Sequence, residues 1–377
     1  MTVYFPKYVV LFSLLFIGFN GIAQDKDNDS TMNKFMGFDL DKQRKLTILP
    51  TVYFKPETNW AFGVSALMYR RFNQKDTISP LSLAGLSFVY TLNRQILFSM
   101  PFKIFLKEDN YRINGEISFY EYPYFFAGIG NDKELIEEQY SEDYGANFPR
   151  FAITGLKKFR KNIYTGPKLF YQNTTVTSIE SGGLLDSLNI PGASGSVTTG
   201  IGWEAVYDKR DFVYAPTQGY YANASFLGFN EIMGGNFEYN LFTLDLRKYF
   251  NLGKNHILGL HTFNSSIFGT APFNKLSQLG GEKIMRGYRK GVLRDNNLMA
   301  GQVEYRTPIW HFFGFAAFVG TGAVAPNLKD FSITNLLPSY GAGFRLAFNK
   351  KERIHIRFDY ARGLNRDEFY LSFAESF

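Results

Sequence analysis

From residue 46 to its end the chain alternates between apolar and polar positions. In Met299–Thr307, Met299, Val303 and Tyr305 face one way, while Gln302, Glu304 and Arg306 face the other. Val197, Thr199, Ile201, Trp203 and Ala205 oppose Thr198, Gly200, Gly202 and Glu204. Ala342, Phe344, Leu346 and Phe348 oppose Gly341, Gly343 and Arg345, and Ile354, Ile356, Phe358 and Tyr360 oppose His355, Arg357 and Asp359. A period of two is the signature of β-strands. Sixteen such segments are readable, with cores at 46–54, 60–72, 81–92, 95–106, 110–120, 148–160, 163–177, 195–208, 218–229, 237–249, 255–267, 297–307, 312–323, 339–348, 352–361 and 368–377. One apolar and one charged face, repeated along a whole chain, describes a closed barrel in lipid rather than a soluble sandwich. The fold expected is an all-β, transmembrane antiparallel barrel of about sixteen strands. A charge facing lipid at mid-bilayer costs about 2–4 kcal/mol, so the charged face should line the lumen.

The links between segments differ in length. Asn93-Arg94 and Lys161-Asn162 read as tight turns, whereas 121–147, 178–194 and 268–296 read as long extracellular loops. An even strand count returns both chain ends to one side, the periplasmic one. Residues 1–23 read as a secretory signal: Lys7 gives the positive start, Tyr8–Phe19 an apolar core too short to span, and Gly21-Ile22-Ala23 the small residues before cleavage. Residues 24–45 form a polar periplasmic lead-in. Its Asp25, Asp27 and Asp29 begin like a calcium loop, but Ser30 and Met36 stand where that loop needs glycine and a carboxylate. A signal followed by amphipathic strands points to a Gram-negative outer membrane.

Composition narrows the picture further. The 40 Phe and 24 Tyr exceed the needs of a soluble core and suit the aromatic girdles of a barrel. Mean hydropathy is −0.17, too low for a bundle of spanning helices. The absence of cysteine excludes disulfides, thiolate chemistry and a lipidated N-terminal cysteine. The net charge of +7 is spread through strands and turns rather than clustered, so nucleic acid is not an expected partner. Outer-membrane lipid is.

Two motifs carry a resemblance. The first is Tyr207-Asp208-Lys209-Arg210-Asp211 followed by Pro216-Thr217-Gln218-Gly219-Tyr220. The second is Gly280-Gly281 through Arg286-Gly287-Tyr288, followed by Glu304-Tyr305-Arg306-Thr307-Pro308. In order and spacing, with Tyr124–Asn131 as a third point of fit, they resemble the bacterial surface-antigen barrel of the BamA/TamA superfamily. The resemblance covers roughly 46–377 and is strongest over 195–377. It implies that the loop holding Arg286 enters the lumen and pairs Arg286 with Glu304, which alternation places inward. Gly320 stands where many members carry a second acid, so the anchor is expected to rest on Glu304 alone. A charge-reversed pair, Arg286→Glu with Glu304→Arg, should then restore part of the behaviour. Asp208, Arg210, Asp211, Pro216 and Gly219 are read as a structural motif at the periplasmic rim. Phe369, Leu371, Phe373 and the final Phe377 share one face of the last strand, which resembles the C-terminal signal for barrel insertion.

The resemblance implies outer-membrane biogenesis, or translocation of a polypeptide or lipid substrate. Members that assemble proteins carry periplasmic POTRA domains, and 24–45 is too short for one. A periplasmic partner protein is therefore expected to supply the substrate-receiving domain. The alternative is a passive pore or a structural barrel without translocase activity. No cofactor and no enzymatic activity are expected. His256, His261, His311 and His355 are too dispersed for a metal site, and Pro191–Gly195 lacks the nucleophile-elbow pattern. Spacing alone does not exclude a Ser-His-Asn site assembled from separate strands.

Overall fold

The computed structural model describes residues 44–377 apart from 56–58, 74, 77, 93, 137–140 and 350–352. The expected signal, nearly all of the lead-in, and Asn93 lie outside the described residues. Eighteen strands follow in chain order: β1 (Arg44–Lys55), β2 (Asn59–Arg70), β3 (Ser82–Thr91), β4 (Ile96–Leu106), β5 (Tyr111–Phe126), β6 (Glu142–Arg160), β7 (Ile163–Ser178), β8 (Ser196–Asp208), β9 (Gly219–Phe229), β10 (Tyr239–Asn251), β11 (Ile257–Gly269), β12 (Ser277–Gln278), β13 (Arg294–Asp295), β14 (Asn297–Arg306), β15 (Phe313–Ala325), β16 (Leu337–Asn349), β17 (Ile354–Arg362) and β18 (Asp367–Phe373). Sixteen of them form one sheet in sequence order, each antiparallel to the next, and β12–β13 is a separate ribbon inside the β11–β14 connection. This is a sixteen-stranded antiparallel barrel. Among the described residues no hydrogen-bonded ladder joins β1 to β18, although Ile356 of β17 packs with Tyr69 of β2. This apolar contact between β17 and β2 is where the two ends of the sheet approach each other, and the gap in the ladder between β1 and β18 is called the seam below.

Alternation becomes inside and outside. Trp203 is 55% exposed on the outer face, while its neighbour Glu204 is 7% exposed within. Phe344 and Arg345 divide the same way, as do Val303 and Glu304. Spanning is therefore done by strands that hide their charges and pair their backbones with neighbours in the sheet.

Two sequence expectations change. Only 127–141 connects β5 to β6; both ends of 121–147 are strand, and the ladder runs from Tyr111↔Lys157 to Phe126↔Glu142. Beyond Glu121 β5 runs past the end of β4, and the hairpin packs Phe126, Tyr144 and Ala146 against Leu185 and Phe273 from other loops. The tight turns also fall at opposite ends. Counting strands, the β3–β4 link at Asn93-Arg94 is extracellular and Lys161-Asn162 is periplasmic, whereas the periplasmic links 71–81 and 209–218 are long.

Candidate functional site

The connection 270–296 folds back into the barrel. Leu279, Met285, Tyr288, Val292 and Leu293 are buried against Leu298 and Ala300 of β14, Val324 of β15 and Leu337 of β16. This apolar contact seats the loop, and its polar tip completes the site. Gly130 N donates to Arg294 O at 2.8 Å, and Asn131 bridges Val324 N and Asn335 O. The Tyr124–Asn131 segment thus holds the loop from above.

Arg286 and Glu304 are both 0% exposed. Arg286 Nη2 stands 2.6 Å from Glu304 Oε2, and Nη1 donates to Asp359 Oδ2 at 2.7 Å. The guanidinium also lies over the Phe318 ring, 3.4 Å from its centroid. Glu304 is therefore not the only acid on the anchor. The second comes not from β15, where Gly320 stands, but from Asp359 of β17. On the strand between, Gly343 makes room, since a Cβ there would come within 2.0 Å of Asp359 Oδ1.

The pair belongs to a larger array. Arg306 Nε is 2.6 Å from Glu304 Oε1, Arg345 Nη1 is 2.6 Å from Asp359 Oδ1, and Arg345 Nε is 2.8 Å from Glu375 Oε2. Arg357 reaches Asp359 at 3.5 Å and Glu282 at 3.4 Å. Four arginines thus meet four carboxylates and balance them, which is how buried charge is tolerated. Burial alone would raise the Glu375 carboxyl, but Arg345, Arg306 and the His355 hydrogen bond hold it well below the usual carboxylate range.

The same loop grips the last strand. Ser372 Oγ donates to the Glu282 carboxylate, Ser376 Oγ to Glu282 O at 2.6 Å, and Gly287 N to Tyr370 Oη at 3.0 Å. Gly287 has φ +94°, and a Cβ there would stand 2.7 Å from the Arg362 backbone, so glycine is required for this approach. Tyr288 Oη donates to Pro338 O at 2.6 Å and accepts from Leu364 N at 2.9 Å. Gly280 and Gly281 turn the loop back on itself, with Gly281 N donating to Tyr288 O at 2.9 Å.

The C-terminal residues depart from their expected place. Phe369 and Leu371 face outward, and the side chain of Phe373 is outside the described residues. Phe377 does not share their face. At Ala374 the backbone takes φ +63° and turns the tail into the barrel. Phe377 then stacks 4.8 Å from His261 and 6.4 Å from Tyr249, and its carbonyl accepts from Arg306 Nη2 at 2.9 Å. The overlooked signal was Glu375. A strand continued to Phe377 would turn that carboxylate, with Phe373 and Phe377, toward lipid.

At the rim, Asp208 accepts from Arg210 at 2.8 and 2.9 Å and from Arg112 at 2.9 Å. Asp211 accepts Thr217 N at 2.8 Å and Phe212 N at 3.0 Å, closing the 209–218 connection at its root. Gly219 has φ +112° there, and a Cβ would meet Lys209 O at 2.1 Å. Pro216 O faces Arg306 Nη1 at 3.5 Å. Among the described residues no cluster of His, Asp and Glu is placed to hold a metal ion.

An Omp85 superfamily domain matches residues 85–376. Similar solved structures include BamA from Haemophilus ducreyi lacking POTRA domains 1–3, at 15% identity and TM-score 0.56, covering 88% of this chain and 69% of that one. CdiB from Acinetobacter baumannii follows at 14% and 0.53, covering 85% and 56%. CdiB from Escherichia coli stands at 10% and 0.55, covering 88% and 62%. At these identities the likeness is one of fold, and the chain spans less than two thirds of either CdiB. No curated protein matches the sequence. With the matched domain covering most of the barrel, the chain belongs to the Omp85 superfamily and is a β-barrel of the bacterial outer membrane.

Proposed function

We propose that the chain inserts or translocates polypeptide at the outer membrane through the seam between β1 and β18, with the lumen loop as the fixed element against which the seam moves. One observation carries the reading. The loop is tied to β18 through Glu282 and Gly287, while among the described residues no ladder ties β18 to β1. A barrel whose last strand is held from inside, rather than by its neighbour across the seam, keeps its shape when that seam parts. The role is non-enzymatic: the buried charges are mutually neutralised and used for positioning. Substrate reaches the barrel with a periplasmic partner protein that supplies a receiving domain, and lipid is the second substrate class. Family membership supports this reading, and activity lives in sites rather than folds.

The competing reading is a passive pore. Photo-crosslinkers placed along the outer faces of β1 and β18 test the two. Substrate adducts concentrated at the seam are the expected result. A stable open channel in a planar bilayer that is indifferent to Arg286→Ala, with no seam adducts, would establish the pore instead.

A further inference from the structure

The 209–218 connection does more than link β8 to β9. Its root is self-contained: Lys209 N donates to Tyr220 O at 2.9 Å, Asp211 N to Gln218 O at 3.3 Å, and the Asp211 carboxylate receives Thr217 and Phe212. Its tip, Phe212–Pro216, crosses the barrel end that carries the C-terminal tail. There Tyr214 belongs to an apolar cluster with Leu67 and Tyr69 of β2, Leu83 of β3 and Ile356 of β17. Tyr214 Oη donates to Leu81 O at 3.3 Å, and Tyr214 O accepts from Glu375 N at 3.2 Å. The strap therefore touches both flanks of the seam.

The chemistry of these contacts is generic. The tip offers one aromatic ring to an apolar cluster, and its Tyr214 and Pro216 carbonyls face Glu375 N and Arg306. Any extended chain presents such carbonyls, and any segment with an aromatic residue presents such a ring. Backbone hydrogen bonds that confer affinity, with a side-chain pocket that confers choice, are the usual terms of extended-peptide recognition. Rings with a polar tip, like tyrosine, fit a pocket that is apolar inside and wet at its edge. Because the bonds of Lys209, Asp211 and Thr217, with Arg210 Nη1 donating to Val213 O at 3.2 Å, close the root below Tyr214, residues 214–216 can leave while the β8–β9 turn persists.

We propose that the periplasmic mouth is a binding cleft for an extended polypeptide segment bearing an aromatic side chain, and that the chain's own strap occupies it in the resting barrel. An incoming segment displaces Tyr214 and takes its place between β2–β3 and β17, beside the seam. The inference rests on the reading that polypeptide enters the barrel from this end.

The test uses a fluorescent peptide copying Lys209–Gln218, titrated by anisotropy against the purified folded barrel. The Tyr214→Ala barrel, its cleft vacated, should bind at least about tenfold tighter than wild type, a difference of about 1.4 kcal/mol. The same peptide with alanine in place of its tyrosine should lose that gain. Equal binding to both barrels, binding to neither, or indifference to the peptide's tyrosine would overturn the proposal. Should Tyr214→Ala fail to fold, Asp211→Ala is read the same way, since it loosens the root without touching the cleft. Seam crosslinks to substrate that survive a failed peptide test would remove the cleft and leave translocation standing; loss of both would remove both.

Discussion

Across β1–β5 one row of the inner face is a run of small hydroxyls. Thr51 Oγ1 lies 2.7 Å from Ser65 Oγ, which lies 3.0 Å from Ser87 Oγ, and the register continues to Ser99 and Ser118. On β14–β18 the same face carries Glu304, Arg306, Arg345, Arg357 and Asp359, filled against by the anchored loop. The contrast lies in what each half forfeits on deformation. A neutral hydroxyl pair contributes about 0.5–1.5 kcal/mol, and water replaces it readily. A buried charge deprived of its partner costs about 3–5 kcal/mol, and no water is at hand. On the proposed opening, the loop-filled half is expected to be the rigid side and β1–β5 the side that shifts.

The largest break in this contrast should come from exchanging the anchor charges. Sequence alone recommended Arg286→Glu with Glu304→Arg as a rescue. Asp359 changes the outcome, because Glu at 286 would face Asp359, and Arg at 304 would sit beside Arg306 and Arg345. The double reversal should be less stable than Arg286→Ala, which itself should lose about 3–5 kcal/mol by leaving Glu304 and Asp359 without their cation. Denaturant midpoints of the folded barrel decide the order. A double variant more stable than the single would show that Asp359 does not share the anchor. Arg286→Lys should recover only part, since an ammonium cannot fork between two carboxylates.

How far the sequence could be read follows the same division. Alternation found the sixteen strands because lipid and lumen impose opposite demands on successive residues, and it placed Glu304, Arg345 and Asp359 inward. It failed wherever that opposition ends. At the upper end of the β5–β6 hairpin one face packs on loop residues such as Leu185 and Phe273, and Glu121, Tyr122 and Pro123 break the sequence pattern without ending the ladder. Asp359 as second acid was not readable, because which inward residues meet across β15–β17 depends on register and on the space beside Gly343. The inward turn at Ala374 left only Glu375 as a trace. Length does not sort links by side: 209–218, at the periplasmic end, is long enough to reach across the mouth.

A middle effect separates the tail from the loop. The Glu375 carboxyl is held well below its ordinary value of 4.5 in the folded barrel. A depressed folded pKa means that its contribution is present above about pH 4.5, and is lost as pH falls toward the folded value. Wild type should therefore lose tail seating on acidification, whereas Glu375→Gln should start lower and lose less. Exchange protection of the Glu375 amide, which Tyr214 O accepts, reports the tail directly. Identical acid profiles in the two proteins would show that this carboxylate does not seat it.

The smallest effect is expected in the hydroxyl half, and it is the one that makes the contrast sharp. Ser87→Ala removes an Oγ that stands 3.0 Å from Ser65 Oγ, but Ser65 keeps its 2.7 Å contact with Thr51. No charge is stranded, and the alanine fits where a serine stood. The loss should be no more than about 0.5–1.5 kcal/mol, the net worth of one hydrogen bond between neutral groups. Measured beside Arg286→Ala in the same denaturant series, it should shift the midpoint by less than half as much. A serine change as costly as the arginine change would mean that β1–β5 is as tightly specified as the loop-filled half, and the seam would then have no compliant side on which to open.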